Sequence, residues 1–173
     1  MNRAQTMPTD RFLATLMIVA QEAQHLAYSQ SRVFGENINA EWVRSLENQP
    51  ELAERLEAFV SRFGRMQDTI GGKLFPRWLA AQAEEPGTHI EVLNRAERLG
   101  VLEDVERWLE ARALRNRLVH EYMENPEEFA ADLILAGEYC DMLFDTYTRL
   151  RDFAAERMGI ENERLPGLRT PHL

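Results

Sequence analysis

Four residues within one eight-residue run, Arg115, Asn116, His120 and Tyr122, carry most of the chemistry this chain offers. Arginine presents a permanently charged, forked set of donors that matches a phosphate. Histidine moves a proton near neutral pH. The pair can break a phosphodiester bond without a metal: the guanidinium steadies charge at phosphorus and the imidazole acts as general acid or base. Arg112, Asn116 and His120 are four apart and share one helix face, which makes Arg112 a candidate substrate-binding residue. The plainer reading of these residues is a surface ion pair, a capping histidine and an edge tyrosine. Arg117 is expected to pair with Glu121 one turn on. With 19 arginines and 4 histidines, the bare Arg-to-His spacing is common by chance; the added Asn and Tyr make the run specific.

Helix geometry constrains how these groups act. Arg115 and His120 lie about 140° apart on a regular helix. They converge only if the helix frays near His120 or a second copy of the chain supplies one of them, which points to a homodimeric site. A helix C-terminus there would favour the imidazolium form of one His120, while a deprotonated second copy could act as base, giving a bell-shaped pH profile. Tyr122 falls about 200° from His120 if helical. It reaches the same cleft only if the chain turns, as Asn125-Pro126 favours by pushing Asn125 out of the helical region.

The elements that must position these residues read as helices, with no alternating run that predicts a strand. Thr9 or Asp10 can cap a first helix reaching Tyr28–Ser31, its apolar positions Phe12, Leu16, Val19, Ala23 and Leu26 falling at three- and four-residue steps. Residues 32–49 read as a connector with a short helix at Ala40–Leu46. Pro50 suits the first turn of a second long helix, striped by Leu52, Leu56, Phe59, Phe63, Met66 and Ile70. Gly71-Gly72 and Pro76 predict a break or kink at 71–76. A turn at 84–87 precedes a short helix from Thr88 to Leu99, which Gly100 ends. The motif helix is expected over Glu103–Glu121. Asn125 as cap, Pro126 and Glu127-Glu128 open a last helix that holds its stripe to Gly159. Four long helices with short links imply an all-α, antiparallel up-and-down bundle over 9–158, with loose tails at 1–8 and 159–173.

Other residues weigh less. Asp68 and Lys73 lie on the second helix, which can cross near the motif. His25 borders the first helix's apolar stripe and reads as a core histidine, whereas His89 and His172 read as loop or tail residues. Trp42, Trp78 and Trp108 read as packing anchors. No spacing predicts a metal site, Gly71-Gly72-Lys73 lacks the spacing of a phosphate-binding loop, and no cofactor is expected.

The formal net charge of −9 argues against a general nucleic-acid coat but not against a local basic site. No segment is apolar enough to span a membrane and no signal-peptide core is evident. Cys140 is the single cysteine, so no internal disulfide can form. A cytoplasmic protein of one domain is expected.

The run Arg115-Asn116-Arg117-Leu118-Val119-His120-Glu121-Tyr122 resembles the Arg-x4-His-x-Tyr signature of the HEPN superfamily, in particular the HepT-type toxins. Residues 62–76 and 93–100 also look like that family, and the resemblance covers roughly residues 10–158. It implies a dimeric helical bundle that acts as a metal-independent ribonuclease toxin of a type VII toxin–antitoxin system and leaves a 2′,3′-cyclic phosphate. Arg115 would steady the scissile phosphate, Asn116 would be the polar residue after it, and His120 the general acid/base. Tyr122 would be adenylylated by a partner minimal nucleotidyltransferase, an MntA-type antitoxin. The chain departs from a compact HepT by extra residues at 32–49 and 84–100. Some HEPN-like bundles are instead non-catalytic accessory subunits of nucleotidyltransferases; the net charge suits that alternative, and the complete Arg–Asn–His–Tyr set suits the ribonuclease.

Overall fold

The computed structural model of the protein describes residues 7–120 and 124–167, with His120 described by its place in a helix alone. The expectations for the first six residues, for Tyr122 and Glu121, and for His172 fall outside that range. The described residues form helices and no strand: α1 (Pro8–Val33), α2 (Ala40–Ser45), α3 (Pro50–Thr69), α4 (Phe75–Ala81), α5 (His89–Arg98), α6 (Val105–His120) and α7 (Pro126–Glu156).

Helix ends follow local chemistry. Pro8 opens α1 ahead of the expected Thr9 or Asp10 cap, because a proline loses nothing in a first turn, where the N–H has no helical acceptor. Asn39 caps α2 by accepting from Trp42 N–H at 2.8 Å. Thr88 and Glu91 close a reciprocal cap on α5. Asn125 accepts from Glu128 N–H at 3.3 Å, with Pro126 in the first turn of α7. The motif helix starts at Val105 rather than Glu103, since Asp104 caps it by accepting from Glu106 N–H at 2.9 Å.

Where a break or kink is expected at 71–76, regular α-helix gives way to a π turn, but the chain does not leave the helical path. Ile70–Leu74 form a π turn in which Phe75 N–H reaches Ile70 O, and the chain stays helical through Ala81. Pro76 has no N–H to give. A wider turn just before it absorbs the missing donor, as single π turns in helices do.

The core lies where α1 packs on α3, α4 and α7, and where α6 packs on α3, α5 and α7. Phe12, Leu16, Phe59, Phe63, Trp78, Trp108, Leu133 and Leu143 are all essentially buried. The Phe75 ring lies 6.2 Å from Trp78 and 5.7 Å from Trp108, and Trp78 meets Phe153 edge-on at 5.1 Å. This aromatic chain ties the base of α6 to the helix that follows the π turn. Truncating a buried tryptophan of this kind costs about 3–5 kcal/mol. Trp42, Trp78 and Trp108 are buried anchors.

Two sequence expectations are corrected. His25 is exposed, not a core histidine, because it falls on the solvent side of α1 between buried Ala23 and Leu26. Residues 160–167 are not a loose tail. Ile160 and Leu165 are buried, Arg151 Nε donates to Pro166 O at 2.6 Å, and Arg164 pairs with Asp10 at 3.0 Å. No helix among the described residues is long and apolar enough to cross a membrane.

Candidate functional site

Val105, Trp108, Ala111, Leu114 and Leu118 form the buried face of α6. Its N-terminus is tied to α5 by Glu97, whose carboxylate accepts from Val105 N–H at 2.7 Å. Arg115 sits at the edge of the buried face and lies across α3 at Gly64. A Cβ on Gly64 would stand 2.4 Å from Arg115 Nε, so only glycine lets the guanidinium cross here. One turn further along α3, Asp68 accepts from Arg115 Nη1 at 2.6 Å. Asp68 thus meets the motif, as the crossing of the two helices allowed. Lys73 does not: its charge acts on Glu22 of α1.

Beside this pair, Gln67 reaches from α3 to α6. Its Nε2 donates to Ala111 O at 3.3 Å, leaving Oε1 buried with no hydrogen-bond partner. Arg117 faces the other way and grips Asp132 of α7 with two bonds of 3.1 Å. Its described partner is therefore a carboxylate on another helix, while the expected Glu121 lies outside the described residues. Asn116 and Arg112 are exposed.

Two depressions flank Arg115. One is a mainly apolar groove of about 440 Å³ lined by Leu56, Val60, Leu118, Val119 and Phe129, together with Glu57, Ser61 and Arg115. Val119, directly before His120, is 58% exposed. The other is a polar cleft of about 330 Å³ lined by Gln67, Asp68, Gly71, Gly72, His89, Trp108 and Arg112. His89, expected in a loop, is the first residue of α5. Burial lowers its pKa below the ordinary histidine value, and the Arg112 cation lowers it further, so both favour the neutral ring.

The structure brings some of these residues together and leaves others apart. Arg115 and Asp68 meet, and Arg112 lines an adjoining cleft. The side chain of His120, like Tyr122, lies outside the described residues, so the Arg115–His120 geometry rests on helix periodicity. Gly64, Gln67 and His89 were not singled out by sequence as parts of one region. A glycine in the middle of the α3 stripe is the one signal that marked a close approach. Among the described residues no cluster of His, Cys, Asp and Glu could hold a metal ion.

Compared with known proteins, the chain matches no family model, no curated protein and no solved structure.

Proposed function

We propose that this chain is a HepT-like toxin, a metal-independent endoribonuclease whose Arg115 and His120 act at the cleft of an antiparallel, dimeric helical bundle. The observation that carries the reading is the seating of Arg115. A glycine beneath it and a carboxylate beside it hold a half-buried guanidinium in one orientation, five residues before a histidine on the same helix. Only Nη1 is engaged by Asp68, which leaves the rest of the fork for a phosphate. In the reaction, the 2′-hydroxyl gives its proton to a base and attacks phosphorus. The bond to the 5′-oxygen breaks as that oxygen takes a proton from an acid, leaving a 2′,3′-cyclic phosphate. One His120 serves as base and its copy as acid, while Arg115 stabilises the charge that grows at phosphorus. The exposed Val119 and the mainly apolar groove beside it offer the surface on which a second copy would seat.

The test is cleavage of RNA by the purified chain in EDTA. Arg115→Ala and His120→Ala are each expected to slow it by about 10²–10³, with circular dichroism unchanged. Cleavage that survives both changes, or that EDTA abolishes, overturns the proposal. Control is assigned to Tyr122. Adenylylation by a partner nucleotidyltransferase would place a negative phosphate beside the cationic site and repel RNA. Coexpression with such an enzyme should add the mass of AMP to the Tyr122 peptide, and Tyr122→Phe should escape neutralisation; full neutralisation of an unmodified Phe variant argues against it.

The Arg115–Asp68 pair also favours a second reading, a non-catalytic partner of a nucleotidyltransferase, because a neutralised arginine attracts phosphate less. That reading is accepted if the wild-type chain cuts no RNA yet copurifies with such an enzyme.

A further inference from the structure

One face of α1 stays open to solvent and is unlike the rest of the surface. The chain is 28% charged, yet from Phe12 to Ser31 the only Asp, Glu, Lys or Arg is Glu22. Glu22 is half-buried and turned toward α3, where it accepts from the Thr69 hydroxyl at 2.9 Å. What remains outside is uncharged and partly apolar: Met17 is 47%, Ile18 49% and Tyr28 60% exposed. The exposed positions Asp10, Ala14, Met17, Gln21, Gln24 and Tyr28 recur at steps of four and three, the spacing of a seam between paired helices. A solvated helix face in so charged a chain carries charge, whereas a strip of this kind marks an interaction surface.

The strip is also its own complement. Gln21 lies at its midpoint, and Asp10 and Arg32 stand about 16 Å to either side of it along the helix. A two-fold axis at Gln21 sets a second α1 antiparallel on the first, and residue i then meets j while j meets i. Asp10 of each copy faces Arg32 of the other, and the small Ala14 faces the large Tyr28. Ile18 faces Gln24, and the two Gln21 amides, each both donor and acceptor, face one another. The charged ends are available for this. Arg32 lies 5.9 Å from the Tyr28 ring and makes no ion pair among the described residues. Asp10 is held by Arg164 at 3.0 Å through Oδ1 and is 55% exposed. Parallel pairing would instead set Asp10 against Asp10 and Arg32 against Arg32, which is repulsive. We propose that the outer face of α1 is an interface for a second copy of this chain, paired antiparallel about Gln21. It lies apart from the motif. Gln67 and Thr69, about 200° apart around α3, reach α6 and α1 respectively. The interface is therefore independent of the ribonuclease reading and of any meeting of copies at α6. It is one helix wide, small beside the roughly 1,600 Å² of a standard interface, so association in the micromolar range is expected.

The test uses the full chain, whose one native cysteine, Cys140, is buried. Gln21→Cys puts a thiol on the axis, where helices packed about 8–10 Å apart bring facing Cα atoms within disulfide reach. Mild oxidation should therefore yield a covalent dimer on a denaturing gel. Ala14→Cys alone should yield none, since its two copies would sit about 21 Å apart, whereas Ala14→Cys mixed with Tyr28→Cys should link. Sedimentation velocity from low to high micromolar concentration should show association that Gln21→Glu, which sets two carboxylates face to face, weakens about tenfold or more. Arg32→Glu should weaken it as well, and adding Asp10→Arg should restore it. All these positions are exposed, so circular dichroism should not change. Failure of Gln21→Cys to link, or equally ready linking by Ala14→Cys alone, overturns the proposal. Association untouched by Gln21→Glu places the second copy elsewhere, and a chain that never associates leaves the face to a different protein; either result overturns it too. RNA cleavage, measured alongside, should be unchanged in Gln21→Glu. Linking through Gln21→Cys with no cleavage by the wild type removes the ribonuclease reading and keeps the interface. Cleavage dependent on Arg115 and His120 without pairing at α1 does the reverse.

Discussion

Replacing Gly64 with alanine separates the position of Arg115 from the stability of the fold. The new methyl would stand 2.4 Å from Arg115 Nε and 3.0 Å from its Cδ and Cζ, so the guanidinium must swing off α3 and release Asp68. Alanine is favoured over glycine inside a helix by about 0.8–1.0 kcal/mol. Against that stands the lost ion pair. Its side chains are 32% and 55% exposed, so it is worth only about 0–1 kcal/mol. The two nearly cancel, and the thermal midpoint should move by no more than about 4 °C in a chain of this size. In an Arg115→Ala background the three atoms nearest the methyl are gone, so the same change should stabilise by the full helix gain of about 0.8–1.0 kcal/mol. The difference between backgrounds is the coupling between residues 64 and 115. Urea unfolding measures both, and RNA cleavage on the same proteins should fall about 10²–10³ in Gly64→Ala alone, matching Arg115→Ala. A loss of more than about 2 kcal/mol in both backgrounds would show that the methyl meets something other than Arg115. Full cleavage by a well-folded Gly64→Ala protein would show that the seating of Arg115 has no catalytic role.

Glu22 has a pKa raised chiefly by burial, with the Thr69 hydroxyl bond opposing the shift. Its folded value lies above its unfolded value, so the ionised form opposes folding at neutral pH and that penalty fades as pH falls through the folded pKa; Glu22→Gln should raise the midpoint at pH 7 and lose the advantage near pH 4, by thermal unfolding across pH. For His89 the shift is downward, so protonation opposes folding and stability falls as pH drops below the ordinary histidine value; an NMR titration should place its pKa below that value, and Arg112→Ala should raise it. Cys140 is fully buried and burial pushes its thiol pKa far up, so it should resist iodoacetamide in the folded chain and react once urea unfolds it; native-state labelling at the unfolded rate would refute that burial.

Helices were legible because the information that makes them is local. Pro50, Thr88, Asn125-Pro126 and the three- and four-residue apolar steps act within a turn or two, and α3, α5 and α7 begin where those signals stand. Boundaries slipped where a local signal had competition: Pro8 preceded the expected cap, and a π turn absorbed Pro76 without breaking the rod. The motif run itself was readable as residue types in order, which is why Arg115 could be singled out before any neighbour was known.

What lies beside Arg115 was beyond that reach. Gly64 and Asp68 are on another helix, and nothing along the chain says that α6 crosses α3 at a glycine rather than one turn away. The same holds for the cleft, where Gln67, His89 and Arg112 come from three helices. Periodicity tells which face of a helix is buried, because burial of apolar area is indifferent to partner. Which residues meet across two buried faces depends on close packing of particular shapes, and only the folded chain decides that.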